Sequence, residues 1–175
     1  MRGIDSQELY AEIAKNDKDG NMRESAAGEL KNQSLLVKIA VNDENERVRG
    51  EAVSNLKNQA LIAKIYKNDK SNVVRQAAVH KLKNKSLLVE IAKKDKDRWT
   101  RRNAVVNIKD QSVLATIATN DESEYVRGEA AYKLKNQENL VQIYNADKSS
   151  IVRCAVVRNL KDTTLLAEIA RTDED

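Results

Sequence analysis

The chain is expected to be all-α, a right-handed α-solenoid built from stacked two-helix repeats, with six full units followed by a C-terminal half unit. Three observations predict this. The sequence repeats itself every 26 residues, each period carries two helix-capping residues, and apolar residues follow each cap at helical spacing.

The period is plain in the phrases that open each unit: LKNQ at Leu30, LKNQ at Leu56, LKNK at Leu82, IKDQ at Ile108, LKNQ at Leu134 and LKDT at Leu160. One step back from Leu30 lands on Ile4, so the whole chain reads as one repeat domain. Its units are 4–29, 30–55, 56–81, 82–107, 108–133, 134–159 and the partial 160–175.

Within a unit, the third position is a capping residue throughout: Ser6, Asn32, Asn58, Asn84, Asp110, Asn136 and Asp162. Such side chains accept a hydrogen bond from a first-turn N–H that lacks a partner inside the helix. The apolar set Leu35, Leu36, Ile39 and Ala40 then marks one helical face, and its Ile recurs in every unit, from Ile13 to Ile169. A second cap at position sixteen (Asp19, Asn45, Ser71, Asp97, Ser123, Ser149) opens a second helix carrying Val48, Ala52 and Val53 or their equivalents. Helices of about ten residues do not persist alone in water. Each must be held by its hairpin partner and by adjacent units, as repeat stacks require.

Composition agrees with this. The chain has 175 residues, no Pro, no Phe and five Gly, and 33% of it is charged, which suits short exposed helices better than a sheet. No apolar run approaches membrane-span length, and the segment Met1 to Asp5 has no signal-peptide apolar region. A single cysteine, Cys154, makes an internal disulfide impossible. A soluble chain in the reducing cytoplasm is the expectation. The net charge of +4 is too small by itself to imply nucleic acid.

Two polar positions never vary. Asp stands at position fourteen (Asp17, Asp43, Asp69, Asp95, Asp121, Asp147, Asp173) and Arg at position twenty (Arg23, Arg49, Arg75, Arg101, Arg127, Arg153). With the phrases Asp43…Val48-Arg49…Ala52-Val53 and Asp121…Val126-Arg127…Ala130-Ala131, the chain resembles HEAT-like repeats. In that family an inter-helix Asp and a second-helix Arg form a ladder between adjacent units. The short period and the run Asn55-Leu56-Lys57-Asn58-Gln59-Ala60-Leu61-Ile62 also resemble the leucine-rich repeat variant family. The resemblance implies an architecture and leaves function open.

A pair present in every unit is a scaffold device, not a reaction centre. The Lys after each opening residue reads as a solvated row. One His, one Cys and no phosphate-binding glycine motif give no metal site, cofactor site or catalytic group, so no enzyme activity is expected. HEAT-like folds include DNA glycosylases and pigment lyases, but none of their site residues carries over.

The informative residues are those that differ between units. At 100° per residue, second-helix positions 18, 21, 22 and 25 point away from the core side. Position 18 becomes apolar or aromatic in Val73, Trp99, Tyr125 and Ile151, and position 25 reads His80, Val106, Tyr132 and Arg158 in the same units. By the HEAT-like resemblance this helix lines the concave surface. The stripe therefore reads as a protein- or peptide-binding face, with Trp99, Tyr125 and Tyr132 as anchors and Arg98, Arg102 and Arg158 orienting an acidic or carbonyl-rich partner. Two alternatives stay open. The run from Lys93 to Arg102 carries six basic and two acidic residues, net +4, which suggests nucleic acid. The stripe could also be packing or a symmetric contact in an architectural spacer or oligomerisation module. The partner's identity and the oligomeric state are not encoded legibly.

Overall fold

The computed structural model describes residues 5–172. Ile4, which opens the first repeat, and Asp173, the last of the Asp row, lie outside the described residues, as do the chain ends around them. Among the described residues there are thirteen helices, all of them α-helices, and no strand. They divide into two compact units, residues up to 83 and residues from 84 onward. No helix among the described residues is long and apolar enough to cross a membrane.

The first unit holds three hairpins. They are α1 (Ser6–Asn16) with α2 (Gly20–Glu29), α3 (Gln33–Asn42) with α4 (Glu46–Ser54), and α5 (Gln59–Asn68) with α6 (Asn72–Lys81). The second unit holds α7 (Lys85–Lys94) with α8 (Arg98–Val106), α9 (Gln111–Asn120) with α10 (Glu124–Lys133), α11 (Gln137–Ala146) with α12 (Ser150–Val157), and the single helix α13 (Thr163–Thr172). In both units the second helices pack closely side by side, α2 on α4 on α6 and α8 on α10 on α12, whereas the first helices meet their neighbours only loosely. The residue choice explains this. The second helices carry Ala52, Ala78, Ala104 and Ala130, all fully buried, and small buried side chains let helices pack closely.

The capping residues act as the sequence suggests, with three exceptions. Asn32, Asn58, Asn84 and Asn136 each accept from the N–H three residues on, and Asp110 and Asp162 do the same and also take the N–H two residues on. In the first hairpin the cap is Asp5, not Ser6. Its carboxylate takes the Gln7 N–H at 3.1 Å, and α1 starts one residue early. Ser123 and Ser149 occupy their cap positions without capping through the side chain. The Ser149 hydroxyl donates to Glu124 instead, at 2.7 Å.

The invariant Asp and Arg have several tasks at once. Asp43 Oδ1 accepts the Asn45 N–H at 2.9 Å, shaping the turn that starts α4. The same carboxylate receives Nε and Nη2 of Arg23 from the preceding hairpin at 2.9 and 3.1 Å. Arg49 with Asp69, Arg101 with Asp121 and Arg127 with Asp147 repeat this two-pronged contact. The remaining guanidinium nitrogen of Arg49, Arg101 and Arg127 reaches back to the main-chain oxygen of the Asp in its own unit. Within each compact unit, these bidentate charge-assisted bonds in a shielded seam hold the hairpins they join in register.

Burial by itself would raise the Asp69 carboxyl. Hydrogen bonds from Arg49 and from the Ser71 N–H outweigh that and hold it below its ordinary value of 3.8. Asp147 is lowered in the same way by Arg127 and the Ser149 N–H. A depressed folded-state pKa gives stability that is complete above the unfolded value and is lost as pH falls through the folded one. Acid unfolding followed by circular dichroism should therefore begin below the ordinary carboxylate range. Asp69→Asn and Asp147→Asn should each flatten that limb while lowering stability at neutral pH.

A second ladder was not visible in the sequence pattern. The Gln33 side chain donates to the Asn55 carbonyl at 3.1 Å and accepts from the Lys57 N–H at 3.0 Å, stapling the start of α3 to the loop after α4. Gln7, Gln59, Gln111 and Gln137 do the same in their own repeats. The lysines of that row keep exposed side chains and contribute main-chain groups, their N–H and, in Lys31, Lys109 and Lys135, the carbonyl as well. Lys85 occupies the Gln position in α7 and has no acceptor to offer the Lys109 N–H. Lys85→Gln should restore both bonds and stabilise the second unit by about 0.5–1.5 kcal/mol. Urea unfolding measures this, and an unchanged midpoint would show that water already serves those groups.

Candidate functional site

The outward face of α8, α10 and α12 carries the residues that break the repeat. Each of these helices points position 18 away from the core because positions 19 and 23 are inside. In α10, Val126, Ala130 and Ala131 are fully buried, which leaves Tyr125 and Tyr132 on the open side. In α8 the same geometry buries Thr100, Ala104 and Val105 and presents Trp99 and Val106. The Thr100 hydroxyl is satisfied by Asp97 at 2.8 Å, so Trp99 is not drawn inward beside it.

Trp99 and Tyr125 stand side by side, ring centroids 5.2 Å apart and planes tilted by 42°. The Arg98 guanidinium lies over both rings, 5.0 Å from the Trp99 centroid and 5.1 Å from that of Tyr125. Stacking of this kind fixes the guanidinium while leaving its N–H edge available. Trp99 keeps 37% of its surface exposed, Tyr132 53% and Ile151 38%, which for large apolar side chains is a substantial open area.

Beside these rings lies a groove of about 630 Å³. Tyr125, Tyr132 and Ile151 form its apolar walls, Arg102, Glu129 and Arg158 its charged ones, and Gly128 its floor. Gly128 is buried although position 21 points outward, because Ile151 folds down onto it. A Cβ built there would come within 3.3 Å of Ile151 Cγ2. Gly50 lies under Val73 in the first unit in the same manner, at 3.4 Å. Position 21 is thus a shelf for the next helix wherever glycine occupies it.

The charged residues do not all serve as expected. Arg102 is bound to Glu129 at 2.8 Å, and Arg101 is buried in the ladder. Arg158 is exposed at the rim, with no ion-pair partner among the described residues. The basic run from Lys93 to Arg102 is therefore dispersed. Arg98 stacks on aromatics, Arg101 and Arg102 hold carboxylates, and Lys93, Lys94 and Lys96 are exposed at the end of α7 and in the turn after it.

Of the ten residues singled out from sequence, Arg102, Trp99, Tyr125, Tyr132, Ile151 and Arg158 line the groove, with Arg98 stacked beside it. Val106 is exposed one turn beyond Arg102, and its carbonyl accepts from Lys133 at 2.8 Å. Val73 and His80 stand exposed on α6 in the first unit. The sequence reading missed Gly128, Glu129 and Cys154. The glycine carried the usable signal, since a Gly inside a short helix costs stability and asks for a packing reason. Among the described residues no group of three His, Cys, Asp or Glu side chains could hold a metal ion. The site rests on its own geometry, because comparison with family models, with curated proteins and with solved structures found no match.

Proposed function

We propose that this chain is a non-enzymatic binding scaffold, a HEAT-like or leucine-rich-variant type of array, that holds a protein or peptide on the second-helix face of α8, α10 and α12. The supporting observation is the Trp99–Tyr125 pair, Trp99 exposed and Tyr125 half-buried, beside a groove in an otherwise regular stack. A buried aromatic anchor covers roughly 150–250 Å². At about 25 cal/mol per Å², the exposed parts of three such rings offset much of the several kcal/mol lost on association. Micromolar affinity fits. A cytoplasmic setting suits the lone exposed thiol of Cys154.

The test is retention of partners from nuclease-treated extract of the source cells on immobilised protein. The Trp99→Ala/Tyr125→Ala variant should lose the partner by about 2 kcal/mol or more, roughly 30-fold. Both side chains are partly exposed, so circular dichroism should show the variant folded. An unchanged set of retained proteins would remove the site, and retention abolished by nuclease alone would favour the nucleic-acid reading.

A further inference from the structure

We infer that the partner of this face is an acidic peptide. Its apolar side chain seats in the groove between Tyr125, Tyr132 and Ile151, and its carboxylates meet Arg158 and Arg98. This rests on the binding-scaffold reading and names the chemistry of its partner.

Charge carries the argument. The carboxylate in the groove wall, Glu129, is neutralised by Arg102 at 2.8 Å and has only 15% of its side chain exposed. Glu124, at the start of α10, accepts from the Ser149 hydroxyl. Arg158 and Arg98 have no carboxylate partner among the described residues, and they flank the apolar walls, one capping the C-terminal end of α12 and one opening α8. A guanidinium is a planar fork of donors that matches a carboxylate in two-pronged geometry. Stacking on Trp99 and Tyr125 spends the face of Arg98 and leaves that fork. A basic peptide would meet repulsion from both arginines, and a neutral one would offer them only uncharged carbonyl acceptors, which bind a guanidinium more weakly than a carboxylate does.

Dimensions agree. Adjacent packed helices lie about 8–10 Å apart. Arg158 stands at repeat position 25 against position 17 for Arg98, an axial offset of about 12 Å at 1.5 Å per residue. The way from Arg98 to Arg158 therefore spans roughly 20–23 Å. An extended chain covers that in about six or seven residues at 3.3 Å each. The fitting segment is short, with acidic residues on both sides of a central Leu, Ile, Met or Phe. A nucleic acid fits less well. Arg101 and Arg102 are committed to carboxylates, so few phosphates can be neutralised. Trp99 also already carries Arg98 and Tyr125, which a stacking base would have to displace.

The experiment pans a display library of random dodecapeptides on the intact chain, with the Trp99→Ala/Tyr125→Ala protein as counter-selection. Selected peptides are synthesised and titrated against the fluorescence of Trp99, the one tryptophan in the sequence. Asp and Glu should be enriched on both sides of an apolar residue. Arg158→Glu, a surface change, should weaken binding about tenfold or more, as should amide replacement of the peptide's carboxylates. Peptides that depend on Trp99 and Tyr125 but tolerate Arg158→Glu and amide replacement would overturn the acidic-partner inference and leave the scaffold reading standing. Failure of any peptide to depend on those rings would remove both. Quenching by a single-stranded oligonucleotide at lower concentration than by any peptide would overturn the inference in favour of nucleic acid.

Discussion

Asp121→Ala is expected to lower the unfolding free energy by about 3–5 kcal/mol. The Arg101 and Asp121 side chains are only 5% and 7% exposed, so removing the carboxylate leaves a guanidinium that water cannot fully reach. Glu122 also touches Arg101, at 2.9 Å, but is 82% exposed and cannot take over a shielded charge. The Ser123 N–H loses its acceptor as well, which loosens the turn ahead of α10. The control is the double variant Arg101→Met/Asp121→Asn. It buries no lone charge, keeps an oxygen for Ser123, and should recover about half of the loss or more. Urea unfolding followed by circular dichroism reads both. A cost below about 1 kcal/mol for Asp121→Ala would place the pair among solvated surface contacts.

Leu114→Ala should cost a similar amount, about 2–5 kcal/mol, for a different reason. Leu114 on α9 is fully buried, as are its equivalents Leu36, Ile62 and Leu140, with Leu88 nearly so. Truncation removes transfer free energy and leaves a cavity. A ten-residue helix with little intrinsic stability cannot make good the loss alone. Hydrogen exchange should show the α9 amides opening more readily than before. Thr116→Ala, exposed on the same helix, should change stability by less than about 0.5 kcal/mol. If both variants unfold alike, the seam between hairpins is not where this chain keeps its stability.

The fold was readable because its determinants recur. A cap, an Ile, an Asp and an Arg returning at fixed positions identify the helices, their ends and the residues that join neighbours, whatever else varies. The errors came where a local choice departs from the recurring one. Asp5 outcompetes Ser6 because a carboxylate one residue earlier already satisfies the first-turn N–H. The glutamine ladder was hidden because Gln in a first turn looks ordinary, and its partners are main-chain atoms 22 and 24 residues away. The site was legible only as a list of candidates. That Trp99 and Tyr125 would face each other follows from their 26-residue offset. That Arg102 would be spent on Glu129 depends on rotamers reaching diagonally between α8 and α10. Sequence shows which charges stand on a face, and only packing shows which of them are already answered.

Each Arg–Asp side-chain bridge described joins a repeat to the next at one constant separation of 20 residues. A whole period can therefore be duplicated or excised without orphaning a single interior charge, since the Arg before the cut finds an equivalent Asp after it. Lengthening such a chain needs no new invention. Evolution, or an engineer, can add reach by copying a paragraph and spend novelty only on the few outward positions that meet the world.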